Sequence, residues 1–181
     1  WPADMQHNLT YCVSERFGSE RDKVVTAIDT AASDWMEVAN VTFSRLEVKG
    51  CKVGSPEVLF AVTPASRRSR FSMRAFFPSS PVEKRRIQAN KGKIKWPLKR
   101  ITGIFRHELG HVLGFRHEHV HPDSTVDREI CPLESTPTEA ITEYDIFSVM
   151  HYPICGGKSG NYSKLSELDK LGAALMYPFE P

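Results

Sequence analysis

Apolar residues recur along the chain in two rhythms, and each rhythm predicts a different kind of element. Residues 7–13, HNLTYCV, combine β-branched and aromatic side chains with a cysteine and read as a first strand. From Ser19 or Glu20 to about Ala39, Val24, Val25, Ile28, Ala31, Ala32 and Trp35 are spaced by three and four, which gathers them on one helical face suited to packing on a sheet. Residues 41–48 and 57–63 read as further strands, joined by a loop in which Gly50 and Gly54 flank Cys51. Residues 70–77, RFSMRAFF, alternate weakly and stop at Pro78; with Arg67, Arg68 and Arg70 beside them they predict an edge strand, free along one side. Residues 79–98 read as loop with a short strand near Ile87. A second helix starts at Leu98 or Lys99, and Ile101, Ile104, Phe105, Leu109 and Val112 give it an apolar surface broad enough to lie between two halves of a molecule. Residues 119–142 are rich in Pro, Asp, Glu, Ser and Thr and read as loop, as does the stretch with Gly156, Gly157 and Gly160. Ser166, three residues before Asp169, opens a last helix with a capping-box pattern; it runs to about Met176, with Leu168, Leu171, Leu175 and Met176 turned inward, and Pro178 ends it.

Strands and helices in this order predict an α+β protein. With 40% hydrophobic and 25% charged residues, the 181-residue chain can bury a core, and no apolar run approaches the ~20 residues of a membrane span. The chain starts without methionine, so a signal or pro-segment could precede it. The net charge of +2 conceals a segregation: residues 67–106 hold 13 basic and one acidic residue, whereas the stretches on either side are acidic on balance. Such a block can attract an acidic partner, or it can be a solvated basic surface; the lack of regularly interleaved aromatic residues argues against nucleic acid.

Cys12, Cys51, Cys131 and Cys155 are widely spaced and form no C-x-x-C pair, which argues against a thiolate metal site. Their even number favours two disulfides over four buried thiols. Three pairings are open, and Cys12–Cys51 with Cys131–Cys155 is preferred, one bridge on each side of the motif that follows. Asn8, Asn40 and Asn161 begin N-x-S/T sequons, which matter only in a glycosylating host.

The chemistry concentrates in RHELGHVLGFRHEHVH, residues 106–121. His107, Glu108, His111, Gly114 and His117 form H-E-x-x-H-x-x-G-x-x-H. On a helix, His107 and His111 stand about one turn apart and can grip one ion, with Glu108 beside it as a base for a water molecule. Gly114 can take a left-handed conformation, stop the helix and send His117 back as a third ligand. Three histidines and an open position match a catalytic zinc ion, one Zn2+, rather than a closed structural site. His119 and His121, in a polar loop, read as solvated or as packed behind the ligands.

This motif, together with SVMHY at residues 148–152, resembles the metzincin clan of zinc metallopeptidases, and within it most closely the astacin family. The resemblance implies a metzincin-like fold: a twisted mixed sheet with two long helices above an active-site cleft, and an irregular lower subdomain ending in a helix. It implies one domain over 1–181, with an upper part of about 1–114 and a lower part of about 115–181. Met150 would form the tight turn beneath the metal. Tyr152 would be both an extra zinc ligand and a catalytic group for the oxyanion, and Glu118 would match the glutamate that in astacins contacts the mature N-terminus. The expected activity is that of a secreted, extracellular zinc metalloendopeptidase with Glu108 as general base. The expected partners are a protein or peptide substrate and a pro-segment, with no nucleic acid and no membrane, and the simplest assembly is a monomer. The alternative is a non-catalytic protein that keeps the zinc fold and binds an acidic partner through residues 67–106, and the intact Glu108 argues against it.

Overall fold

The computed structural model describes residues 1–133, 138–160, 162 and 164–179. In chain order the regular elements are β1 (Leu9–Val13), α1 (Arg21–Met36), β2 (Phe43–Arg45), β3 (Phe60–Ala65), β4 (Met73–Arg74), β5 (Arg86–Asn90), α2 (Leu98–Leu113) and α3 (Glu167–Met176). The five strands form one sheet in the order β2-β1-β3-β5-β4. Four run parallel, and β4 alone is antiparallel, pairing Met73 with Ala89 and Arg74 with Gln88. The result is the expected α+β arrangement, a mixed sheet with two long helices.

The period of two along the strands decides what each sheet face buries. Leu9, Tyr11 and Val13 of β1, Phe60 and Val62 of β3, and Ile87 and Ala89 of β5 belong to the main core, which also takes the apolar faces of α1 and α2. The residues between them on β1 and β3, Cys12 and Ala61, belong to a separate small cluster with Cys51. The Cys12–Cys51 disulfide staples that second face, and Cys131–Cys155 ties the lower region, so the preferred pairing is the observed one. Pro64 is tolerated in a central strand because β1 pairs with β3 only as far as Val62, which leaves Pro64 beyond the end of its neighbour.

Several expected elements change in extent. The strand expected over 41–48 shrinks to Phe43–Arg45, and that over 70–77 to Met73–Arg74, although the latter is the sheet edge foreseen from its arginines and proline. The short strand expected near Ile87 within 79–98 is present as β5, inserted between β3 and β4. Its buried Ile87 and Ala89 alternate with Arg86 and Gln88, but neighbouring lysines and arginines dilute that signal in sequence. In α3, Leu171, Leu175 and Met176 are exposed, contrary to the inward packing expected of them, while Gly172 and Ala173 are buried. The capping residue sets the rotation: the Asp169 carboxylate binds Ser148 and Val149 and so turns the small-residue face inward. There a Cβ on Gly172 would lie 3.6 Å from Thr142 Cγ2.

α1 and α2 pack side by side at the centre of the molecule. Trp35 of α1 is fully buried, donates through Nε1 to the Arg106 carbonyl at 3.0 Å and stacks on Phe115 at 5.6 Å. Arg106 in turn forms an ion pair with Asp34. These contacts fix the axial position of α2, the helix that carries the H-E-x-x-H segment.

Candidate metal centre

α2 ends where the sequence places a glycine. Gly114 has φ +106°, a region that disfavours residues with a Cβ, and its N–H together with that of Phe115 caps the last helical carbonyls. The chain then turns so that His117 faces the two helical histidines. The ligand atoms of His107, His111 and His117 lie within 4.8 Å of one another, and the Nε2 atoms of His111 and His117 are 3.1 Å apart.

The outer ring nitrogens explain this convergence. His107 Nδ1 lies 2.7 Å from the Val149 carbonyl and His111 Nδ1 lies 2.8 Å from the Phe115 carbonyl. A carbonyl only accepts, so each Nδ1 carries the proton and each Nε2 turns a lone pair toward the shared centre, the usual orientation of metal-ligating histidines. Burial, reinforced by the neighbouring imidazoles, lowers His107 and His111 to about 3 and His117 to about 2, so all three stay neutral, as ligands must. Three neutral nitrogen donors aimed at one point fit a zinc ion.

Met150 lies directly beneath α2. A Cβ on Gly110 would collide with its Sδ, so the glycine within HELGH is what admits the methionine. The turn is fastened from two sides: the Glu118 N–H donates to the Met150 carbonyl, and Asp169 at the first turn of α3 accepts from the Ser148 hydroxyl at 2.6 Å and the Val149 N–H at 2.9 Å. A continuous path therefore runs from the α3 capping box through Val149 to His107.

Glu108 is 5% exposed, and burial pushes its carboxyl up to about 8, opposed by the Ala75 N–H and the Arg74 guanidinium. A cation bound beside it would oppose the same rise. The contact with Ala75 joins Glu108 to the edge strand β4. The Tyr152 ring lies 4.0 Å from that of His117 and 5.5 Å from that of His107.

Of the two places the sequence left open for His119, in solvent or packed behind the ligands, it takes the second: it is 4% exposed, and its ring stacks at 5.4 Å on His117 and 5.5 Å on Tyr152. His121 fits the outer role: its Nε2 lies 3.0 Å from the Thr142 carbonyl, and its Nδ1 accepts from the Asp123 N–H. Glu118 Oε1 accepts from the Asp145 N–H at 2.8 Å. A cavity of about 320 Å³ opens beside Glu118, lined also by Asp145, Thr142 and Met150. Two further residues beside the site were not singled out from the sequence. His151 is fully buried with Nε2 2.7 Å from the Tyr144 hydroxyl, and Tyr162 packs its ring 5.0 Å from that of His107. The SVMHY stretch pointed to His151, whereas Tyr162 had no local pattern.

A mixed sheet, a helix bearing H-E-x-x-H, a glycine turn to a third histidine and a methionine below them define a zinc metallopeptidase of the metzincin clan. The sequence model of the Peptidase_M57 family, described as dual-action HEIGH metallo-peptidase, matches residues 7–131, and the chain belongs to this family. That match overturns the placement in the astacin branch. Likeness to curated proteins is partial: Bone morphogenetic protein 1 of Xenopus laevis is 42% identical over 28% of this chain, and the match spans only 9% of that protein. Among solved structures, myroilysin superposes with a TM-score of 0.73 at 22% identity, covering 100% of this chain and 96% of that one. High choriolytic enzyme 1, a hatching enzyme zinc-protease from Oryzias latipes, superposes with a TM-score of 0.66 at 19% identity, covering 99% and 98%. At these identities both show the fold alone.

Proposed function

We propose that the chain is the catalytic unit of a secreted zinc endopeptidase that hydrolyses peptide bonds in proteins without a covalent intermediate. The observation that carries this reading is the convergence of three neutral imidazoles next to a buried carboxylate that is not one of them. His107, His111 and His117 would hold one zinc ion, with Tyr152 as a further ligand. When bound, the ion supplies Lewis acidity to the scissile carbonyl and brings the pKa of water near 7.

The chain's own residues do the rest. Glu108 takes a proton from the attacking water and delivers it to the leaving amine; its place in a buried site, with the carboxyl raised by burial, suits a group that must both accept and release a proton near neutral pH. Tyr152, packed on His117, offers a phenol hydroxyl to the oxygen that gains charge. β4 is an edge strand joined to Glu108 through Ala75, which supports an extended substrate pairing alongside it. Two disulfides suit an oxidising compartment, and no helix among the described residues is long and apolar enough to cross a membrane.

Glu108→Gln tests the reading. The variant keeps the shape of the side chain but cannot accept a proton, so it should retain zinc and melting temperature and lose cleavage of a mixed peptide library. Equal cleavage by both proteins would refute Glu108 as the base; no cleavage by the native protein would refute the peptidase reading for this chain and turn attention to the basic 67–106 block.

A further inference from the structure

Tyr162 is the only described residue other than glycine with a positive φ, +60°. A left-handed backbone is unfavourable for a side chain of this size, and residues held there persist only where the surroundings over-determine them. Such surroundings exist. The Tyr162 N–H donates to Ser159 Oγ at 3.3 Å, and its carbonyl accepts from Arg106 Nη1 at 3.4 Å. Arg106 is itself paired with Asp34 of α1 and immediately precedes the first histidine. Three separate parts of the chain, α1, α2 and the loop after the methionine turn, therefore hold one unfavourable residue in place.

What this conformation achieves is the position of a ring. The Tyr162 phenol lies 5.0 Å from the His107 imidazole at an interplanar angle of 50°, and Tyr152 stacks on the same imidazole at 5.5 Å and 24°. The ring is half-buried, and its hydroxyl has no hydrogen-bond partner among the described residues. A phenol packed on the same imidazole as the other proposed oxyanion donor, with no partner for its hydrogen among the described residues, is a donor placed to meet an acceptor in the site.

We propose that Tyr162 is a second catalytic phenol, donating its hydroxyl hydrogen to the scissile peptide oxygen as negative charge develops there, alongside Tyr152. The inference rests on the peptidase reading of the site. Its logic is that of preorganisation: a donor fixed before substrate arrives costs no reorganisation when charge appears, so it acts on the transition state more than on the bound substrate.

Tyr162→Phe separates this role from a structural one, because it keeps the ring, the backbone and the packing on His107 and removes only the hydroxyl. The expected result is a fall in kcat of roughly 10- to 100-fold with KM within about twofold of native. Affinity for a phosphinic peptide, whose tetrahedral phosphorus oxygens imitate the charged oxygen, should fall by a similar factor, with zinc content and melting temperature unchanged. A kcat within about twofold of native would overturn the proposal. A loss of zinc or of melting temperature in the phenylalanine variant would also overturn it, by assigning the hydroxyl a structural role. If the native protein cuts no peptide while holding zinc, it is the peptidase reading that fails, and this inference with it.

Discussion

Asp169 links the last helix to the first metal ligand, and replacing it measures how far the site depends on that link. Its carboxylate accepts from the Ser148 hydroxyl, the Val149 N–H and the Ser166 N–H at 2.6, 2.9 and 2.8 Å, and Val149 presents its carbonyl to His107 Nδ1. Asp169→Asn retains one acceptor oxygen for the two amides, and its NH2 can face Ser148 Oγ, so the loss is mainly the charge assistance of three hydrogen bonds. At ~1 kcal/mol each, less the desolvation that a neutral amide avoids, the variant should be less stable by about 1–2 kcal/mol. Asp169→Ala strands all three donors and should cost about 3–5 kcal/mol. Burial raises the Asp169 pKa in the folded state although its hydrogen bonds pull it down. The native state therefore holds the carboxyl proton more tightly than the unfolded chain does, and burying the charge takes back part of what the hydrogen bonds contribute. Its contribution is fully present below the ordinary aspartate value and is lost as pH rises through the folded value, so the asparagine substitution should cost more near pH ~3.5 than near pH ~7. Urea denaturation at both pH values measures this, and competition against a chromophoric chelator measures zinc affinity, which should fall about 10- to 100-fold in Asp169→Ala as Val149 loses its anchor. Unchanged urea midpoints together with native zinc affinity in both variants would refute the relay from α3 to His107.

Two other perturbations address the floor and the centre of the site. Gly110→Ala drives a methyl group into Met150 Sδ and should destabilise the protein by about 1–3 kcal/mol in urea melts, with partial recovery in the double variant carrying Met150→Ala; no destabilisation would mean that the methionine is free to move. Removing zinc with a chelator takes away a ligand that binds only the folded arrangement of His107, His111 and His117. At a free zinc concentration about 1,000 times Kd, that ligand is worth ~4 kcal/mol, so the melting temperature should drop on the order of 10 °C and return when zinc is restored. An identical melting temperature with and without chelator would show that the three histidines hold no ion in solution.

The parts of this protein whose logic is local are legible along the chain. The spacing of His107, His111 and His117 and the glycine between them are written within eleven residues, and helical periodicity with a left-handed stop is enough to bring them together. The Ser166–Asp169 cap, the apolar stripe of α1 and the exposed edge at β4 are equally short-range patterns. The two disulfides were a preference among three pairings, settled by which cysteines the fold brings within 5.9 Å between Cα atoms. The family within the clan could not be read from the two motifs alone, because they are common to its branches; the match over residues 7–131 decided it.

Features that depend on chain segments far apart emerge only from packing. The short strand near Ile87 was legible, but its place between β3, which it joins in parallel, and β4, which it joins antiparallel, comes only from pairing with distant segments. α3 exposes Leu171 and Leu175 because an aspartate bound to the methionine turn fixes its rotation, and a single buried carboxylate with three donors outweighs the orientation that hydrophobicity would choose. His119 is buried because Tyr152, more than thirty residues away, provides the surface on which it stacks. Tyr162 reaches the metal centre through a backbone conformation that no local pattern announces, held by an arginine on one helix and an aspartate on another. Ligand spacing is a property of one helix and one turn and survives in sequence; the groups that orient, buffer and surround those ligands arrive from other segments, and their placement exists only once the chain has folded.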